Sequence, residues 1–374
     1  MKIWLLIHRY LGIALGVLMV VWCLSGIVMM YVPYPYLSEA DRIAHVPPID
    51  WRSCCTLPET GPWSGFEVET IGTRTVLRVR SEHGRSRLFD LTNGTALEAV
   101  SESEATAVAG EFGDSHRARL LDVIDHDQWT VQGSHGWDRP LFHFSLDDSG
   151  GTEVYVSSVS GKALQVTNAR QRLWNWLGAV PHWIYFSSLR QYPDAWSQVV
   201  VWTSLLGTFL CLTGLYIGIR HLRPRRSAGW IPYRGLHYWH HLLGLVCGVF
   251  LLTWVFSGLV SMNPWGFLEG GIALIRTEDE YYFSHHRELV SLPAYRIILD
   301  DAQQTRYYLD PVSGQALSVV DSNGRWYRWL HQALHRIDFS AAVRASPTRD
   351  VFMVTALVGM ALVCALGTYL GLRR

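Results

Sequence analysis

The sequence predicts an integral membrane protein of four transmembrane α-helices in two pseudo-symmetric halves, with α+β units outside the membrane between spans 1 and 2 and between spans 3 and 4. Three observations carry this. Four uncharged apolar stretches, Leu11–Val32, Ala195–Ile219, Leu242–Leu268 and Val351–Leu372, are each long enough to cross about 30 Å of hydrocarbon. A mean hydropathy slightly above zero, with 17% charged residues, is too apolar for an average soluble chain and too polar for spans alone. Finally, the chain contains itself twice: residues 140–220 lie on residues 293–373 without a gap.

In order, the elements are a first span at residues 1–33 and an external region at 34–194 with two α+β units and an interfacial helix. A second span follows at 195–220, then a basic loop at 221–240 and a third span at 241–268. One further external unit with its interfacial helix occupies 269–350, and the fourth span with the C-terminus occupies 351–374. The first span sits where a secretion signal would, but its length, its lack of a small-residue cleavage site and its copy in the third span predict that it is retained. The 221–240 loop holds Arg223, Arg225, Arg226 and Arg234 and no acid, and the termini add Lys2, Arg9, Arg373 and Arg374. Positive charge marks the cytoplasmic side, so both termini and that loop are expected there.

Outside the membrane the repeat reads as strands and hairpins. Phe142–Leu146, Glu153–Val156 and Ala163–Val166 are joined by Asp147-Asp148 and Ser160-Gly161; Tyr295–Leu299, Arg306–Leu309, Asp300-Asp301 and Ser313-Gly314 repeat them. A looser copy runs through Val76–Val79, Arg87–Leu91, Asn93-Gly94 and Thr95–Leu97. Each hairpin unit before a span is followed by an aromatic-rich segment, Leu173–Arg190 or Trp326–Val343, which suits a helix at the membrane interface.

Histidines are the residues with chemistry to offer. In the ungapped match His182 falls on His335, with Gly214 on Gly367. A second match lays His8, Gly12, Gly16, Trp22, Ser25 and Gly26 on His240, Gly244, Gly248, Trp254, Ser257 and Gly258. The offsets, 153 and 232, differ by 79 residues, so the first copy carries an insertion of that size. At 3.6 residues per turn His8, Gly12, Gly16, Trp22 and Gly26 lie within about 80° of one stripe. Histidine in a span is costly unless it pairs, coordinates or faces water. Backed by glycines, it leaves room for a flat macrocycle held between two imidazoles, which would make His8 with His240, and His182 with His335, axial ligands. The same Gly-x-x-x-Gly spacing equally serves helix packing, and a lone histidine at a membrane end also suits an interfacial role. His237, His241, His331 and His221 are alternative ligands without a symmetric copy, and His237 with His241 has helical zinc spacing but no further ligand. His126, His135 and His143 form an external group that reads as surface residues.

Other classes are poorly supported. Zero net charge offers no hint of a nucleic-acid partner. No nucleophile triad, phosphate loop or dinucleotide loop is present, so no conventional catalytic residue is assigned. Cys23, Cys211, Cys247 and Cys364 lie in spans as packing residues, and adjacent Cys54 and Cys55 give no disulfide framework.

Several of these segments together resemble the PepSY-associated transmembrane family over nearly the whole chain. They are His8-Arg9-Tyr-Leu-Gly opening the first span, Trp239-His240-His241-Leu-Leu-Gly opening the third, the endings Thr213-Gly214-Leu-Tyr216 and Leu366-Gly367-Thr-Tyr369, and the Asp-Asp…Tyr…Ser-Gly hairpins. Within that family the order of units is similar to FoxB-type siderophore reductases. The resemblance implies PepSY-like external units on a bacterial inner (cytoplasmic) membrane protein. It further implies b-type haem, two groups for two histidine pairs, passing electrons to an Fe(III)-siderophore and releasing Fe(II) for iron uptake. The donor is left open as a quinol or a cytoplasmic reductant. Bis-imidazole ligation favours electron transfer over oxygen chemistry, and hard oxygen ligands release iron once it is reduced. Trp183, Arg190, Trp329 and Arg336, at the outer rim, are the expected substrate-facing residues. Two other readings stay open. A transporter or permease component for iron-siderophore would suit the repeats, though no span holds a charge; a PepSY-type regulatory interaction protein would leave the symmetric histidines unexplained.

Overall fold

The computed structural model describes residues 2–52, 54–58, 65–80, 86–114, 117–131, 133–222, 230–262, 264, 294–299, 301–309, 316–344 and 346–373. Two compact units result: Met1–Met30 with Asp194–Arg374, and Tyr31–Pro193. The chain opens on α1 (Lys2–Tyr31), an apolar helix whose Ser25 hydroxyl is satisfied internally by donating to the Val21 carbonyl at 2.6 Å. Pro33 and Pro35, which cannot continue a helix, end it.

In the second unit α2 (Glu39–Ala44), capped by Ser38, leads to an antiparallel sheet of β1 (Gly65–Ile71), β2 (Arg74–Arg80), β3 (Ser86–Asp90) and β4 (Thr95–Leu97). Helix α3 (Glu102–Gly110) starts with a capping box between Ser101 and Glu104. A second antiparallel sheet follows: β5 (Arg119–Ile124), β6 (Leu141–Ser145), β7 (Glu153–Ser157) and β8 (Ala163–Thr167). One core joins both sheets across α3, from Ile71, Val76 and Leu88 through Ala105 and Ala109 to Phe144, Val154 and Val156. Gly161, at φ +68, sits in that core; a Cβ there would strike Ile71 and Val100. Buried Arg42 pairs with Glu39 and Glu69, while buried Arg78 pairs with Glu67 and Glu69 and donates to the Ser160 carbonyl, so each buried charge is compensated.

After β8 the expected single interfacial helix is three short ones, α4 (Ala169–Leu177), α5 (Ala179–His182) and α6 (Ser187–Arg190). Gly178, at φ −106 and ψ −101, and then Ile184, at φ +53, break the helical run.

The first unit resumes with α7 (Pro193–His221) and α8 (Leu236–Ser261). Helix α8 begins inside the segment read as a loop, because its His237–His240 turn stays helical beyond the apolar stretch; residues 265–268 of the predicted third span, and Arg223, Arg225 and Arg226, lie outside the described residues. Strands β9 (Tyr295–Ile298), β10 (Arg306–Leu309) and β11 (Ala316–Val320) form an antiparallel sheet in the order β9-β10-β11. Asp300 and the Ser313-Gly314 turn also lie outside the described residues, but Asp301 accepts from the Thr305 amide and hydroxyl as Asp148 does from those of Thr152. The second aromatic segment is again broken: α9 (Ser322–Tyr327), a π-helical stretch Arg328–Ala333, α10 (Leu334–Arg336) and α11 (Ala341–Arg344) precede α12 (Pro347–Leu372).

Helices α1, α7, α8 and α12 are long and apolar enough to cross a membrane. Glycines seat them against one another: Gly207 against Met19 and Val255, Gly248 against Leu215, Gly359 against Cys247 and Gly371 against Ile13. Their shared core holds Met19, Cys211, Leu251, Trp254, Met360 and Val363. The remaining apolar side chains, Val17, Leu24, Val246, Val249 and Leu362 among them, point outward, as lipid-facing residues do.

One pH dependence follows from the external unit. His143 lies with Nδ1 2.8 Å from Asp122 and Nε2 3.2 Å from Glu153; burial alone would lower its pKa, but the two carboxylates raise it above 6.5. A raised folded pKa gives stability that is fully present below pH 6.5 and is lost as pH rises through the raised value. The melting temperature should therefore fall on the alkaline side of 6.5, and His143→Gln should flatten that fall. An unchanged profile in the variant would clear His143 of the effect.

Candidate functional site

His8 on α1 and His240 on α8 face each other with ring centres 6.3 Å apart and planes 39° apart. Each ring is anchored from a third helix. The Leu210 carbonyl and the Thr213 hydroxyl of α7, the latter 3.3 Å from Nδ1, hold His8, and the Val363 carbonyl of α12 lies 3.1 Å from His240 Nδ1. Because the Thr213 hydroxyl itself donates to Leu210 at 2.9 Å, it accepts from His8, so Nδ1 carries the proton. The same tautomer follows for His240, whose partner can only accept. In both rings Nε2 is thus left with the lone pair, the arrangement by which protein carbonyls orient metal-binding imidazoles.

Two glycines make this approach possible. A Cβ at Gly214 would lie 2.7 Å from His8 Cε1, and one at Gly367 2.8 Å from His240 Cε1. These contacts were not read from the sequence, although Gly214 and Gly367 are matched in the repeat. Gly12 and Gly244 have nothing within 4 Å of a built Cβ, and open space lies beside the histidine pair's own helices there. Gly16 and Gly248, expected on the same cofactor-facing stripe, instead pack helices: Gly16 meets Thr368 and Gly248 meets Leu215. Trp22 and Trp254 pack with the bundle core.

Nearer the other end of the bundle His335 Nδ1 lies 2.9 Å from the Ser257 hydroxyl and 3.3 Å from the Trp254 carbonyl. Ser257 Oγ donates to Trp254 and so accepts from His335, a contact the sequence signalled only through the matched Ser25. His331 stands beside it, ring centres 5.2 Å apart, with Nδ1 3.0 Å from the Ser257 carbonyl. Burial lowers the His331 pKa to about 4, so it stays neutral. His182 ends α5 in the other compact unit.

The remaining candidates are placed as follows. Trp183 packs near Tyr34 and Tyr185, and the Arg190 guanidinium lies over the Tyr185 ring at 5.1 Å. Arg328 lies over the Trp329 ring, and Arg349 donates to the Arg336 carbonyl. Burial lowers the Arg336 pKa. His221, His237 and His241 surround Tyr233. His143 is engaged by its carboxylates, and burial lowers the pKa of His135.

Two imidazoles sharing one metal with bonds of about 2 Å have ring centres about 6 Å apart. The His8–His240 separation meets that condition. Among the described residues no group of three or more His, Cys, Asp or Glu side chains could hold a metal ion.

Fold and site define a multi-pass membrane protein with a histidine pair clasped inside its helical bundle and small antiparallel sheets outside it. The chain belongs to the family described as PepSY-associated TM region, which matches residues 5–374. Among curated proteins it is similar to a "Probable rhamnogalacturonase E" of Aspergillus flavus, 25% identical over 132 residues, 34% of this chain and 27% of that protein. A protein of the same description from Aspergillus oryzae is 26% identical over 104 residues, 26% of this chain and 24% of that one. The chain thus spans about a quarter of the length of these curated relatives, and the four-span architecture is accounted for by the family match.

The contrast between the glycines can be measured. Gly16→Ala drives a methyl into Thr368 and should destabilise the detergent-solubilised protein by about 1–3 kcal/mol. Gly12→Ala meets nothing and should be neutral or stabilising by up to about 1 kcal/mol, through helix propensity. Equal melting temperatures for the two variants would contradict this packing.

Proposed function

We propose that this protein is a haem-containing membrane oxidoreductase that passes single electrons outward across the bacterial inner membrane to an Fe(III)-siderophore. The observation that carries the reading is the facing His8–His240 pair, with both Nδ1 atoms tied to neighbouring helices, which leaves a lone pair on each Nε2. His8 and His240 would hold one b-type haem; His335 would ligate a second, with His331 as the alternative ligand beside it. Bound there, haem would supply reversible one-electron chemistry.

The chain's own residues supply orientation and enclosure. Leu210, Thr213 and Val363 fix the tautomer and direction of the inner ligands, and Ser257 with Trp254 does so for His335. Gly214 and Gly367 bring the supporting helices close enough for those hydrogen bonds. The apolar core of Met19, Leu251 and Met360 excludes water between the two ends of the bundle, so that electrons rather than protons cross it. The basic residues of the termini and of the α7–α8 connection support cytoplasmic placement of that end. Trp183, Arg190, Trp329 and Arg336 are assigned to the outer face that receives the ferric chelate, where reduction weakens iron's hold on hard oxygen ligands.

The test is the visible spectrum of protein purified from haem-replete cells, oxidised and dithionite-reduced, with haemochrome quantification. A low-spin b-type spectrum with about two haems per chain is expected. His8→Ala or His240→Ala should remove one part of it, and His335→Ala another. A colourless wild-type protein would overturn the proposal.

A further inference from the structure

At the bundle end that carries Lys2 and Arg373, the two matched sides differ in their polar residues. Arg9 donates through Nε to the Gly371 carbonyl at 3.1 Å. The residue matched to Arg9 is His241, and its ring hydrogen-bonds the carbonyl of Gly218, which is matched to Gly371. A guanidinium on one side is thus replaced by an imidazole on the other. His241 is 8% exposed, and its Nε2 is buried with no hydrogen-bond partner. The Gly218 bond is therefore made by Nδ1–H, which leaves Nε2 as an unmatched acceptor in an apolar setting.

The surroundings are aromatic and protic. The Tyr233 ring centre lies 5.2 Å from that of His241 and 6.4 Å from that of His237. The Tyr233 hydroxyl lies 2.5 Å from His221 Nδ1. The Arg9 side matches His237 with Leu5 and His221 with Arg374, so this group belongs to one half only.

A buried acceptor beside a phenol and further imidazoles, at the rim of an apolar bundle, fits a flat ring bearing a hydroxyl that arrives from the lipid. A dinucleotide would need a phosphate-binding loop that the sequence does not contain. A one-electron carrier protein would not bring a hydroxyl to a buried nitrogen. We propose that His241, Tyr233 and His221 form the docking site of a lipid-soluble hydroquinone, which serves as the electron donor; this rests on the reductase reading above.

In the reaction both O–H bonds of the hydroquinone break and the quinone is left. Its two electrons leave one at a time to the one-electron acceptor of the proposed function, reducing two ferric equivalents. Its two protons pass to the Tyr233 hydroxyl, which hands its own proton to His221 Nδ1, and from there to water. His241 is a positioning residue: Nε2 accepts the hydrogen bond of one ring hydroxyl and fixes its place next to Tyr233.

The probes are decylubiquinone for binding and decylubiquinol for reduction, on the full-length protein in detergent. Saturable quenching of tryptophan fluorescence by decylubiquinone is expected in the wild type, weakened about tenfold in His241→Phe, the worth of one buried hydrogen bond. Tyr233→Phe should retain the haem spectrum and full reduction by dithionite, yet be reduced by decylubiquinol about a hundredfold more slowly, the range of a lost proton-transfer group. Should His241→Phe fail to fold, Tyr233→Phe decides. Absence of saturable binding in the wild type, or binding and reduction unchanged in the variants, overturns the site while leaving the haem reading intact. A wild-type protein without haem overturns the reductase, and the binding measurement still reports on the docking site.

Discussion

The structure depends on the need to give every imidazole inside the bundle a partner. A histidine in hydrocarbon is tolerated only where hydrogen bonds replace water. Here the partners are the Thr213 hydroxyl for His8 and, for His240, the main-chain carbonyl of Val363, which already serves its own helix and uses a second lone pair for the ring. Such a bond requires the ring to lie closer to the neighbouring helix than a side chain at that position would permit. Gly214 and Gly367 are the residues that allow it, and so the arrangement of α7 beside α1, and of α12 beside α8, is bound up with the chemistry of His8 and His240.

That dependence explains what could be read from the chain and what could not. Spans and hairpins were legible because their signals are local: apolar runs such as Val351–Leu372, and turns such as Asn93-Gly94 at φ +74. Gly12 and Gly16 stand one turn apart on one stripe, and only the identity of the opposing helix separates open space from contact with Thr368. Gly214 and Gly367 carried no sign of facing a histidine, because a glycine's role is set by its neighbour across the interface. Strands β1 and β5 escaped notice for a related reason. Glu67 and Glu69 of β1 are held by buried Arg78 and Arg42, a partnership distant in sequence, and β5 is largely exposed.

The aromatic-rich segments before α7 and α12 are runs of short helices. A continuous helix over Leu173–Arg190 would have carried its aromatic side chains round all sides of one cylinder. Interruption at Gly178 and Ile184 lets Trp183 and Tyr185 turn back to Tyr34, with Tyr34 donating to the Gln128 carbonyl at 2.7 Å. In the second copy a π-helical stretch precedes the break and carries His331 next to His335. Both segments then turn at matched isoleucines, Ile184 at φ +53 and Ile337 at φ +51.

The four-helix unit is discontinuous in the chain, its first helix parted from the other three by the whole of residues 31–193. This sets an order of assembly. At a synthesis rate of about 5–20 residues per second, α1 waits roughly ten seconds or more in the bilayer before α8 and α12 emerge. During that interval His8 has no facing ring, and the carbonyl that will orient His240 has not been made. The histidine clasp is therefore closed last, by the C-terminal helix. A ribosome that stops short of Gly367 leaves behind an anchored, folded external unit with an unfinished pocket.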